Sequence, residues 1–119
     1  MSFQKKVFWV STAPRTGSMW VYNVLREILL VAGKKFEPKN VPTHHNETQN
    51  LFEKYLNEDN PNYYLVLKIH QVLKNDLPFS KIISTHRDPR DTLVSYMRFM
   101  KTDFATAFKV AKSITAYTE

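Results

Sequence analysis

KVFWVSTAPRTGSMWVYNVLREILLVAG, residues 6 to 33, changes its period partway along, and that change decides the fold. Its opening, Lys6 to Ser11, is a short apolar, β-rich run that reads as a buried strand. Pro14 and Gly17 break it. From Ser18 the apolar residues return at helical spacing, as Trp20, Val21, Val24, Leu25, Ile28, Leu29 and Ala32, and Gly33 supplies a C-terminal stop. The segment is a strand, a loop and a helix.

Downstream the alternation continues. Lys34 to Asn46 holds two prolines, two histidines and little periodicity, so a loop is expected there. Glu47 to Asn57 reads as a helix turning Leu51, Phe52, Tyr55 and Leu56 inward. After the turn residues Asn60, Pro61 and Asn62, Tyr63 to His70 reads as a second strand and Lys81 to Thr85 as a third. Asp88 is placed to cap a helix that begins at Pro89 and runs to Met100, with Asp91 in its first turn. A last amphipathic stretch starts at Asp103, with Phe104, Ala107, Phe108, Ala111, Ile114 and Tyr117 on one stripe. Strands alternating with helices predict an α/β fold of three layers, a mostly parallel sheet between flanking helices. No linker divides residues 1–119, so one domain is expected.

Composition narrows the function. Hydrophobic residues make up 43% of the chain, as in an ordinary globular domain, and the longest apolar stretch, Ile28 to Ala32, is far too short to span a bilayer. No secretory signal is visible, and the cytoplasm is the default location. There is no cysteine, which excludes disulfides and thiolate metal sites. The formal charge of +6 favours an anionic partner. Lys5/Lys6 and Lys34/Lys35 are the only adjacent basic pairs, and they read as a solvated face rather than a nucleic-acid tract. His44 and His45 are adjacent, and adjacent side chains seldom converge on one ion, so no metal is expected.

In a parallel sheet, ligands bind beyond the carboxyl ends of the strands. All three expected strands end in candidate chemistry: Pro14 to Ser18, Lys68 to His70, and His86 with Arg87. The first loop leads into a helix N-terminus, where free N–H groups and the helix dipole hold anions. It is neither a Walker A loop nor a three-glycine dinucleotide fingerprint, and a plain structural turn fits strand-loop-helix as well. A cationic end on the third strand suits an anion with no bridging metal, whereas a kinase would often place a carboxylate there. Arg87 and Ser95 are spaced to converge on one phosphate, and Arg87 is equally well placed to pair with Asp88 or Asp91. For Trp20 the competing reading is a core residue, for His70 a structural one, and for Lys68 a charge on a half-exposed strand.

ProArgThrGlySerMetTrp at 14 to 20 resembles the PKSGTTW loop of sulfotransferases, which holds the 5'-phosphosulfate of PAPS (3'-phosphoadenosine-5'-phosphosulfate). HisArgAspProArgAspThrLeuValSerTyr at 86 to 96 resembles their RNPKDxxVSY segment, which holds the 3'-phosphate, and LysIleHis at 68 to 70 is similar to their KTH. The resemblance implies a P-loop-like sulfotransferase fold that transfers a sulfuryl group from PAPS to a hydroxyl or amine without a metal. It assigns the donor to Arg15, Thr16, Gly17, Ser18, Met19, Trp20, Arg87 and Ser95. Catalysis falls to Arg15 as the charge stabiliser, His70 as the general base and Lys68 as an aid at the sulfate. Met19 stands where the family has Thr, and Arg15 where many members have Lys. The family's later strand and ArgLysGly loop have no counterpart, so the expectation is a truncated domain. A sheet of three strands invites a second copy at its open edge, and a non-catalytic nucleotide-binding remnant of the same fold is the alternative function.

Overall fold

A computed structural model describes residues 4–42, 45–70 and 77–116. The elements, in chain order, are β1 (Val7–Ser11), α1 (Ser18–Val31), β2 (Phe36–Glu37), α2 (His45–Asn57), β3 (Tyr64–Ile69), β4 (Ser80–Ile83), α3 (Pro89–Met100) and α4 (Phe104–Ala116). The four strands form one parallel sheet in the order β2-β3-β1-β4. The expected α/β architecture is therefore present, with one strand more than expected. Two residues are too few to show a period. Phe36 earns its place through tertiary packing, buried at 3% and paired across from Tyr64.

Strand alternation sorts the core into two layers. Phe8, Val10 and Val66 face α1 and pack with Tyr22, Leu25, Leu29 and Phe36. Val7, Trp9, Leu65, Leu67 and Ile69 face α2 and pack with Leu51, Phe52 and Tyr55. The buried Tyr55 hydroxyl donates to the Tyr63 carbonyl at 2.8 Å and accepts from the Lys6 amide at 3.0 Å, so its polar tip is paired inside the core.

Helix α1 buries only part of the apolar residues that recur at helical spacing. Val21, Tyr22, Leu25 and Leu29 face the sheet, while Trp20 (71% exposed), Ile28 and Val31 face outward. The helix is apolar around most of its girth, so periodicity alone could not tell which face would be covered. Its stop is as expected. Gly33 adopts φ 71°, and the amides of Gly33 and Lys34 close onto the carbonyls of Leu30 and Leu29.

Lys5 and Lys6 also depart from expectation, being half-buried rather than solvated. The Lys5 ammonium donates to the Leu56 carbonyl at 3.0 Å and lies over the Phe79 ring. Helices α3 and α4 pack on each other beyond the carboxyl end of β4, with Ala107 buried. Among the described residues no helix is long and apolar enough to cross a membrane. His44 and Tyr117 lie outside the described residues.

Candidate functional site

Because the sheet is wholly parallel, the carboxyl ends of β1, β3 and β4 open on one side. β1 lies between β3 and β4, so the strand order reverses at β1 and the loop after it, residues 12–17, sits at the crevice where such folds bind ligands.

The loop is held open by its own backbone. Gly17 is the N-cap of α1 at φ 86°, a left-handed conformation that disfavours any side chain, and among the described residues none but its chain neighbours comes within 4 Å of where its Cβ would be. Among the described residues no side chain caps α1 and no acidic residue occupies its first turn, so its positive end is not offset locally, and Gly17, Ser18 and Met19 border a cavity. Arg15 is also left-handed, at φ 62°. The Thr16 hydroxyl donates to the Ala13 carbonyl at 2.6 Å and lies 2.8 Å from the Thr85 hydroxyl, pinning the loop to the chain beyond β4.

Two links tie the loop to α3. The Arg87 Nη1 donates to the Arg15 carbonyl at 2.9 Å, and the Arg15 Nε donates to the Ser95 hydroxyl at 3.0 Å while its guanidinium lies 4.6 Å from the centre of the Phe99 ring. Asp88 caps α3 as expected, accepting from the Arg90 amide at 2.9 Å, and its carboxylate pairs with the Arg90 guanidinium. That pairing decides one open alternative: Arg90, and not Arg87, takes the Asp88 carboxylate.

Three cavities surround the loop. Arg15, Gly17, Ser18, Met19, Trp20 and Arg87 line one of about 260 Å³. Arg15, Arg87, Asp91, Ser95, Arg98 and Phe99 wall a second, of about 560 Å³. The third, about 380 Å³ and mostly apolar, lies between Pro14, Thr16, His86, Leu93, Tyr96 and Phe108. Arg87 borders all three. Arg98 and Phe99 went unmarked in the sequence, although their positions three and four residues after Ser95 put them on the same side of a helix.

Lys68 and His70 stand apart from these cavities, at the end of β3. They share the sheet face that carries Tyr64 and Val66. The His70 Nδ1 lies 3.0 Å from the Thr12 carbonyl, an acceptor, so Nδ1 carries the proton and Nε2 keeps its lone pair. Burial pushes the imidazole below its ordinary pKa; the Thr12 carbonyl opposes this and the Lys68 charge reinforces it. Burial likewise lowers Lys68. Among the described residues no cluster of three His, Asp or Glu could hold a metal.

A family model described as the sulfotransferase domain matches residues 5–112. The chain belongs to that family. No curated protein and no solved structure matches it. A sulfotransferase-type fold accounts for the parallel sheet, its flanking helices and the open loop after the first strand, and sulfotransferases generally draw their sulfuryl group from PAPS.

Proposed function

We propose that this chain binds PAPS at the carboxyl edge of the sheet and transfers its sulfuryl group to a hydroxyl or amine acceptor, residues 1–119 acting as one domain. The observation that carries the proposal is the meeting of two segments far apart in sequence. Arg15 in the loop contacts Ser95, and Arg87 contacts the loop, so one basic surface spans both expected phosphate sites. The local chemistry fits an anionic nucleotide. The leading amides of α1, the open space at Gly17 and the Ser18 hydroxyl suit the 5'-phosphosulfate, with Thr16 holding the loop in shape and Met19 on the cavity wall. Arg87 and Ser95 suit the 3'-phosphate, and the exposed Trp20 indole offers a face for the adenine.

The donor supplies an activated sulfuryl group and leaves as adenosine 3',5'-bisphosphate. As the acceptor oxygen or nitrogen bonds to sulfur, the bond from sulfur to the phosphate oxygen breaks and the electron pair stays on the phosphate. Arg15 and the α1 amides stabilise that charge. The His70 Nε2 takes the acceptor's proton, and Lys68 adds positive charge beside it. A non-catalytic binder is the second reading. It is favoured by one observation, that Lys68 and His70 do not line the three cavities around the loop.

Calorimetric titration with adenosine 3',5'-bisphosphate, 5'-AMP and ATP, without magnesium, tests the donor site. Preferential binding of the bisphosphate is expected, weakened about tenfold or more by Arg87→Ala, in line with the roughly 1.5–3 kcal/mol of a charged hydrogen bond. Equal affinity for all three nucleotides would refute the proposal. Turnover with an acceptor panel then separates enzyme from binder.

A further inference from the structure

The second cavity is bordered by an arginine, Arg98, that the donor reading above does not use. Three guanidiniums, from Arg15, Arg87 and Arg98, border it with one carboxylate, that of Asp91, so positive charge exceeds negative by two. Two of the arginines are engaged: Arg15 with Ser95 and Phe99, Arg87 with the Arg15 carbonyl. Arg98 has no hydrogen bond or ion pair among the described residues, and its side chain is exposed. The one carboxylate does not neutralise it, because Asp91 precedes it by two helical turns on α3.

Position aligns Arg98 with the serine. Asp91, Ser95 and Arg98 fall at intervals of four and three residues, a single stripe along α3, and Ser95 is the hydroxyl that already meets a guanidinium at 3.0 Å. Unsatisfied like charges around one opening repel one another, and an anion is what relieves them. An excess of two positive charges matches a phosphate monoester, which carries about −1.5 to −2 at neutral pH. A neutral ribose hydroxyl at the same place leaves the repulsion standing.

Resting on the donor site proposed above, we propose that Arg98 is a specificity-determining residue of this chain. It grips the phosphate monoester on the ribose of the donor together with Arg87 and Ser95, which border the same cavity, and so selects nucleotides phosphorylated on both the 5' and the 3' side over those bearing a free 3'-hydroxyl. The planar fork of a guanidinium suits a phosphate's paired oxygens, which a lysine ammonium meets only as a point charge.

The test is calorimetric titration of the purified chain, and of its Arg98→Ala and Arg98→Lys variants, with adenosine 3',5'-bisphosphate and with 5'-AMP. Arg98→Ala is expected to weaken the bisphosphate about tenfold and to leave 5'-AMP unchanged, with Arg98→Lys in between. A bisphosphate preference that survives in both variants overturns the role of Arg98 while the donor site stands. Equal weakening of both nucleotides also overturns it, since Arg98 would then act on the shared part of the ligand. No bisphosphate preference in the unaltered chain overturns the donor site and this inference together. Circular dichroism melting of each variant confirms that a lost affinity is not a lost fold, and Arg98→Lys, which keeps charge and length, decides the matter if the alanine variant fails to fold.

Discussion

Under the proposed function, His70 is the general base, and its surroundings bear on that role. Its Nδ1 proton is committed to the Thr12 carbonyl, so the free lone pair on Nε2 faces away from the loop backbone. Burial disfavours the imidazolium, and the ring therefore stays neutral to a pH below its ordinary 6.5. The sign for turnover follows. A base must be unprotonated to act, so kcat/KM for sulfuryl transfer is expected to be flat through neutrality and to fall only on the acid side of 6.5, as measured across a pH series. His70→Ala is expected to remove that acid limb and lower the rate roughly 10²- to 10⁴-fold while bisphosphate binding persists. An acid limb that survives the substitution would assign the proton to another group. Residue types at the site were legible in the sequence, because Arg15, Gly17, Arg87 and Ser95 stand in recognisable order. Their pairings were not. Arg15 and Ser95 are 80 positions apart, and nothing local announces that one donates to the other. Arg87 was expected as readily on Asp88 as on a phosphate, whereas Arg90 holds the Asp88 carboxylate and Arg87 donates to the Arg15 carbonyl.

Among the elements, β3 bears the greatest share of the architecture. It lies between β2 and β1, and Leu65, Val66 and Leu67 are all at most 1% exposed, alternately serving the α2 and α1 layers. Leu67→Ala is expected to cost about 2–5 kcal/mol, since the surrounding layers are braced by other strands and cannot close the void. Urea denaturation followed by circular dichroism measures this, and a loss well under 1 kcal/mol would mean that the α2 layer repacks freely. Strands with continuous apolar runs could be read directly, as could α2 from its apolar spacing and α3, whose capping Asp88 and first-turn Pro89 name its start. Strand β2 could not be, and neither could the exposed face of α1. In both cases the deciding quantity is what packs alongside, which depends on residues distant in the chain.

At the scale of the whole molecule, an excess of positive charge meets a fold whose strand ends all open on one side. The formal charge of +6 raises the local concentration of anions around the protein, and the arginines near the loop direct them. Bisphosphate affinity is therefore expected to fall steadily as salt rises from about 0.1 M to 1 M, where the screening length shrinks from about 10 Å to about 3 Å. The melting temperature of the ligand-free chain should not fall with it, because the same salt screens self-repulsion. Salt-independent affinity in the calorimeter would instead point to adenine stacking as the main attraction.

The bond from Arg15 to the Ser95 hydroxyl makes the protein its own competitor. On the proposed donor reading, the serine oxygen takes the one Nε hydrogen of Arg15 that a phosphate or sulfate oxygen would otherwise claim, so ligand capture at that hydrogen is an exchange of one acceptor for another. Swapping acceptors yields less net free energy than meeting a bare cation, but it keeps the loop and α3 in register while nothing is bound. Release is eased by the same means: as product leaves, the serine is already alongside to take the arginine back.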